Sequence, residues 1–180
     1  MISLRSKITR EVLQYLLLHE SESFYVNELA RKLSLDSGNL TRKLLELEAE
    51  GLLKSQWQGN QRYFALNTSF PLFKEYKKII EQSIGLQSTL KKALQDVKGI
   101  EKAFVFGSYA AGRMDRFSDI DLVVVGQQDT IAIQKKVAAI QRQAGREINV
   151  ISLSPREFAE KSQKDVFLKA VLRKKKIDIL

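Results

Sequence analysis

The sequence predicts an α+β chain in two parts: three helices closed by a β-hairpin, then a small α/β domain with a mixed sheet. Three observations carry that expectation. Apolar residues recur at helical spacing from Ile8 through Leu47. Two strand-like runs flank a Gly59-Asn60 turn. Beyond residue 84, apolar runs of strand length alternate with helical stretches, and one of them carries the acidic repeat Asp119-Ile120-Asp121. The expected boundaries are 1–68 for the front domain, 69–83 for a connecting helix and 84–180 for the second domain. At 180 residues and 44% hydrophobic, the chain has material for two small cores.

From Ser6 to about Glu20, Ile8, Val12 and Leu16 fall on one helix face. After Ser21-Glu22-Ser23 a shorter helix carries Leu29, Ala30 and Leu33, with Asn27 as its cap, and the run Ser34 to Gly38 breaks it. Asp36 or Ser37 caps a third helix whose buried stripe is Leu40, Leu44 and Leu47. Gly51 stops that helix. Leu52 to Trp57 and Arg62 to Leu66 then pair across Gln58-Gly59-Asn60-Gln61.

Three helices and a hairpin over residues 1–67 resemble the winged helix-turn-helix domains of bacterial and archaeal regulators. The resemblance implies DNA binding, with Asn39, Thr41, Arg42 and Lys43 facing bases or phosphates and Gln61 and Arg62 meeting phosphate from the wing. Winged helices also serve for dimerisation or protein docking, and both uses stay open. Phe70-Pro71 opens the connecting helix, where Leu72, Phe73, Tyr76, Ile79 and Ile80 repeat at helical spacing and Lys77 and Lys78 read as a solvated face. That stripe can pack on either domain or pair with a second copy, which is the ground for expecting a homodimer.

In the second domain Leu86, Leu90, Ala93, Leu94 and Val97 form a helix ending at Gly99, and Ile100 to Phe106 is a strand. It delivers its end to Gly107-Ser108, followed by a loop of small residues and a strand from Phe117 to Val125. On a strand, residues two apart share a face, so Asp119 and Asp121 project together. Such a pair repels itself in a low dielectric and persists where a cation neutralises it. Gly107 lets a backbone approach a phosphate closely, and Ser108 offers a hydroxyl and an amide at a helix start.

Gly107-Ser108, then Gly112 and Ser118-Asp119-Ile120-Asp121-Leu122, resemble the pattern of the polymerase-beta-like nucleotidyltransferase superfamily, and more narrowly the minimal nucleotidyltransferases of archaea and bacteria. The resemblance implies transfer of a nucleoside monophosphate from a nucleoside triphosphate (NTP) to a hydroxyl. Gly107, Ser108, Gly112 and Arg113 would then bind the nucleotide, while Asp119 and Asp121 hold magnesium or manganese as catalytic residues. The pattern's third carboxylate is where the chain departs. Ile131 to Ala144 reads as a helix and Arg146 to Ser152 as the next strand, which places Asn149 at the expected aspartate. Asparagine cannot act as a base, so Glu147, one pleat away on the same face, stands as the substitute catalytic residue. If neither serves, the chain is a DNA-binding transcriptional regulator, or an antitoxin beside a helical toxin-type partner, whose second domain only binds nucleotide or partner.

The remaining segments read as scaffold. Ser154-Pro155-Arg156-Glu157 is a capping box opening a helix through Phe158. Val166, Phe167, Ala170 and Val171 suggest another helix, Arg173 to Lys176 is a basic run, and Ile177 to Leu180 fits an edge strand.

Composition narrows the chemistry. Without cysteine there is no disulfide framework, thiolate zinc site or cysteine nucleophile. His19, the sole histidine, reads as a surface residue, and chemistry built on histidine clusters is excluded. Any metal is therefore held by oxygen, which favours magnesium or manganese. The net charge of +9 suggests an anionic partner, nucleotide or DNA. Residues 1–83 hold 12 basic and 10 acidic side chains, against 18 and 11 in residues 84–180, so the excess lies mostly outside the front domain. No apolar run reaches the length of a membrane span, and the start Met1 to Lys7 lacks a signal core, so the expected location is cytoplasmic.

Overall fold

The computed structural model describes residues 4–115 and 117–180. Met1, Ile2 and Ser3, part of the stretch read for a leader, lie outside them. The chain divides into two compact units, Met1–Gly85 and Leu86–Leu180. Among the described residues no helix is long and apolar enough to cross a membrane.

The first unit runs α1 (Lys7–Leu18), β1 (Phe24–Tyr25), α2 (Val26–Leu33), α3 (Ser37–Ala49), β2 (Leu53–Gln58), β3 (Gln61–Leu66) and α4 (Phe73–Ser83). Ser6 caps α1 and Asp36 caps α3, the latter accepting the Asn39 amide at 2.8 Å; such a cap typically contributes about 1 kcal/mol. Asn27 is not a cap. Strand β1 runs straight into α2, so the cap position falls to Tyr25 and Asn27 lies in the first turn. The wing closes through Gly59-Asn60 with Gln58 opposite Gln61, and β1, which sequence periodicity did not mark, joins it through β3.

Leu13, Leu16, Leu29, Leu40, Leu44, Leu47 and Phe64 form the core of this unit, and Phe73 and Ile80 of α4 belong to it. The connecting helix thus packs on its own unit. Tyr76 packs beside them, while Leu72 and Ile79 are exposed, so the expected stripe was too wide. Lys77 is more than a solvated lysine, being paired with Glu20. His19 also departs from expectation. It is buried, its ring stacked on Tyr15 with centroids 4.2 Å apart and its Nδ1 bonded to Glu22 at 2.8 Å. A position one turn after a core tyrosine puts the ring on the same buried side of the helix.

The second unit runs α5 (Leu86–Leu94), β4 (Ile100–Phe106), α6 (Gly107–Ala111), β5 (Ile120–Gly126), α7 (Thr130–Ala144), β6 (Ile148–Leu153), α8 (Pro155–Lys164), α9 (Val166–Arg173) and β7 (Ile177–Asp178). Its sheet has the order β6-β5-β4-β7, with β5 and β6 parallel and the other pairs antiparallel, a mixed sheet as expected. Alternation sends Phe104, Phe106, Val123, Val125 and Leu153 to one face, where Leu168 and Val171 of α9 bury them. Ala103, Val105, Leu122 and Val124 are fully buried on the other. Ser154 and Glu157 make the reciprocal capping box of α8. In α9 the buried residues are Leu168 and Val171, whereas Val166 and Phe167 are exposed. Both central strands begin later than predicted, at Ile120 instead of Phe117 and at Ile148 instead of Arg146.

Candidate functional site

The sheet register assembles the site at one end of β5. Asp121 stands directly opposite Phe106 on β4 and level with Asn149 on β6, so these three side chains share one face of the sheet. Gly107 follows Phe106 with φ +75°, a conformation that favours glycine. A Cβ there would collide with the Asp121 carboxylate. The glycine therefore does two things: it turns the chain from β4 into α6, and it makes room for an acid.

Asp119 precedes β5 and is exposed, while Asp121 is half-buried. Burial pushes the Asp121 carboxyl above its ordinary value; the Asn149 side chain, hydrogen-bonded to it, works against that rise, and the negative charge of Asp119 adds to it. Asp119 is close enough to oppose the ionisation of Asp121. A half-buried acid with a second one beside it is the setting that a hard divalent cation relieves. Magnesium typically takes one or two carboxylates and completes its shell with water and phosphate, and this donor set fits that habit.

Ser108 lies in the first turn of α6, and its carbonyl accepts the amide of Arg113 at 2.9 Å. Gly112 ends the helix at φ +67° and leaves Arg113 exposed on the following loop. The loop then closes on itself before the acids. The Asp115 carboxylate accepts from the Phe117 amide and the Ser118 hydroxyl, each at 2.9 Å, and the Ser118 hydroxyl accepts the Asp115 amide at 3.0 Å. The Ser118 and Phe117 bonds hold the Asp115 carboxyl below its ordinary value. Asp115 went unremarked at the sequence level, although the spacing Asp-x-x-Ser signals such a turn. The turn explains why β5 starts at Ile120, and it presents Phe117, 88% exposed, beside the acids' end of the strand.

Glu147, the expected substitute, stands just outside the strand. It lies one residue before β6 and is exposed, and among the described residues no three acidic or histidine side chains gather where an ion could sit. Parallel pairing aligns Asn149, not Glu147, with Asp121.

In the first unit the expected contact residues are already engaged within the unit. Asn39 and Arg42 are exposed on α3, the Arg42 guanidinium donating to Asn39 Oδ1 at 3.2 Å. Thr41 Oγ1 donates to the Ser37 carbonyl at 2.7 Å, and Lys43 pairs with Glu46. Arg62 is turned inward: it meets Glu48 Oε2 at 2.6 Å and Ser55 Oγ at 2.8 Å, over the Phe64 ring. Gln61, at the wing tip, is exposed. The wing also carries Trp57, opposite Arg62 and 68% exposed, which periodicity had counted only as strand.

A family model described as nucleotidyltransferase domain matches residues 87–178, and one described as MarR family matches residues 14–62. No curated protein matches the chain significantly. Solved structures similar to it include a toxin-antitoxin crystallised with AMP-PNP, 18% identical, TM-score 0.40, covering 53% of this chain and 73% of that one. Reduced HlyU from Vibrio cholerae is 22% identical with TM-score 0.34, covering 41% and 74%. A mutant of the toxin-antitoxin MntA-HpeT is 18% identical with TM-score 0.39, covering 52% and 72%.

Proposed function

The chain belongs to the nucleotidyltransferase domain family, and from that premise we propose that its second unit moves a nucleoside monophosphate from an NTP to a hydroxyl acceptor. The observation that carries the proposal is the Asp121 carboxylate seated against Gly107, with Asp119 close enough to raise its pKa. Ser108 and the α6 start receive the triphosphate, Gly112 keeps the loop open around it, and Arg113 balances its charge. The acceptor oxygen attacks the α-phosphorus in line, the bond to the bridging oxygen breaks, and pyrophosphate leaves with the electron pair. The acceptor's proton is released to the surroundings of the site; Asn149, with no basic atom, cannot take it. Magnesium or manganese held by Asp119 and Asp121 would supply charge neutralisation at the phosphates.

The first unit, in this proposal, binds DNA through α3 and the wing, with Asn39 and Arg42 foremost and Trp57 and Gln61 at the wing. Its near-neutral balance makes phosphate contacts few, and the salt dependence of binding shallow for a DNA-binding domain. A second reading draws on Asn149 at the third acidic position. In it the second unit binds nucleotide, or a helical toxin-type protein, and the chain acts as a regulator or antitoxin without turnover. Incubation with labelled NTP, magnesium and candidate acceptors separates the two. Transfer that falls roughly a thousandfold in an Asp119→Ala, Asp121→Ala variant supports the enzyme; transfer that survives those changes removes these acids from the reaction. Nucleotide binding with no transfer to any acceptor favours the regulator.

A further inference from the structure

Asn149 has a position that neither an ordinary strand residue nor a missing ligand accounts for. It is level with Asp121 on the neighbouring parallel strand, and its side chain is hydrogen-bonded to that carboxylate. The same carboxylate also lies against Gly107, where an added Cβ would collide with it. Asp121 is thus flanked by the first residue of α6 and by a side chain of β6.

We propose that Asn149 is a positioning residue that fixes Asp121 and limits the site to two anionic ligands, so that the divalent cation is taken up together with the nucleotide's phosphates and not beforehand. This rests on the reading of the second unit as a nucleotide site. The physical ground is ligand charge. Divalent-cation affinity rises with the number of anionic ligands presented and with their preorganisation. Asp119 and Asp121 supply two carboxylates; the third place holds an amide that donates its hydrogen to one of them. Among the described residues no further acid joins the group. Phosphate oxygens are then the remaining source of negative charge, and cation and nucleotide must bind with strong mutual dependence. By linkage, that dependence is equal in both directions.

The test uses the full chain and Mn2+ as probe, read by electron paramagnetic resonance of the free ion, with and without ATP held below transfer conditions by omitting acceptor. Wild type is expected to bind Mn2+ weakly alone and about tenfold or more tighter with ATP, after subtraction of the Mn2+·ATP complex itself. Asn149→Asp supplies the third carboxylate and is expected to raise affinity for Mn2+ alone by about tenfold or more, which shrinks the dependence on ATP. Asn149→Ser removes the amide donor while remaining small, and is expected to weaken the ATP-dependent uptake with circular dichroism unchanged. Tight binding of Mn2+ by wild type without ATP, or unchanged Mn2+ affinity in both variants, overturns the proposal. If Asn149→Asp fails to fold, Asn149→Ser and the wild-type comparison decide it alone. Should wild type bind neither Mn2+ nor ATP under any pairing, the nucleotide-site reading itself fails, an outcome distinct from binding that ignores Asn149.

Discussion

The charged face of α3 and its wing and the acidic end of β5 treat polar groups in opposite ways. On the first, cations find anions or carbonyl oxygens within the unit: Arg62 with Glu48, Lys43 with Glu46, Arg42 with Asn39. On the second, Asp121 is half-buried with Asp119 two residues before it, and burial and that neighbouring charge hold its carboxyl above its ordinary value. A surface whose charges are balanced internally must break those contacts to bind anything, and exposed pairs of this kind are worth little, so breaking them costs little. A site whose charge is left unbalanced pays a standing penalty that a ligand of opposite sign removes. The two regions accordingly predict weak, adaptable contact with DNA at one end and strict dependence on a cation at the other.

Independence of the two regions is the first thing to break. Leu44 is fully buried beneath the charged face of α3, and Leu44→Ala should destabilise the first unit by about 3 kcal/mol through the lost burial and the cavity left behind. Thermal denaturation should show that loss while ATP binding by the second unit is unchanged. Loss of ATP binding as well would mean that the units do not behave separately.

Gly107→Ala strikes the second region. The new methyl meets the Asp121 carboxylate at a backbone φ of +75°, and the combined strain and displacement should cost about 2 kcal/mol. Nucleotide binding should fall with it. A melting temperature and an ATP affinity that both match wild type would show that the carboxylate does not need its seat against the glycine.

The smallest expected effect is a gain. The Asp121 carboxyl lies above its ordinary 3.8 in the folded chain, so its ionised form costs stability. That cost is absent below 3.8, grows as pH rises through the raised value and is complete above it. Asp121→Asn should therefore raise the melting temperature in metal-free buffer at pH 7 by about 2 °C or less, with the gap closing as pH falls through the carboxylate range. A variant that melts below wild type at pH 7 would contradict the unbalanced-charge description of this site.

Much of this architecture was legible in the sequence because it rests on local rules. The Leu40, Leu44 and Leu47 stripe, the Gly59-Asn60 turn and the Ser154 to Glu157 capping box each state their structure within a few residues. The acidic repeat and Gly107-Ser108 were visible for the same reason, together with the family resemblance they carry. What periodicity could not give was set by partners distant in sequence. Strand β1 is two residues long and exists because β3 offers it an edge. Glu147 and Asn149 lie on one face in any strand reading; only the parallel register with β5 decides that Asn149 stands beside Asp121. Arg62 read as a wing cation because nothing nearby announced that Glu48, fourteen residues earlier, would claim it. His19 read as a surface residue because its stacking on Tyr15 and its bond to Glu22 need the turn after α1 to fold back.

The central claim is that Asp119 and Asp121 form one cation-dependent nucleotide site. Isothermal titration of the full chain with ATP, with and without magnesium, against the Asp119→Ala, Asp121→Ala variant, tests it most directly. The account predicts saturable binding by wild type that requires magnesium and is lost in the variant. Equal binding by both proteins, or binding by wild type that is indifferent to magnesium, would contradict it.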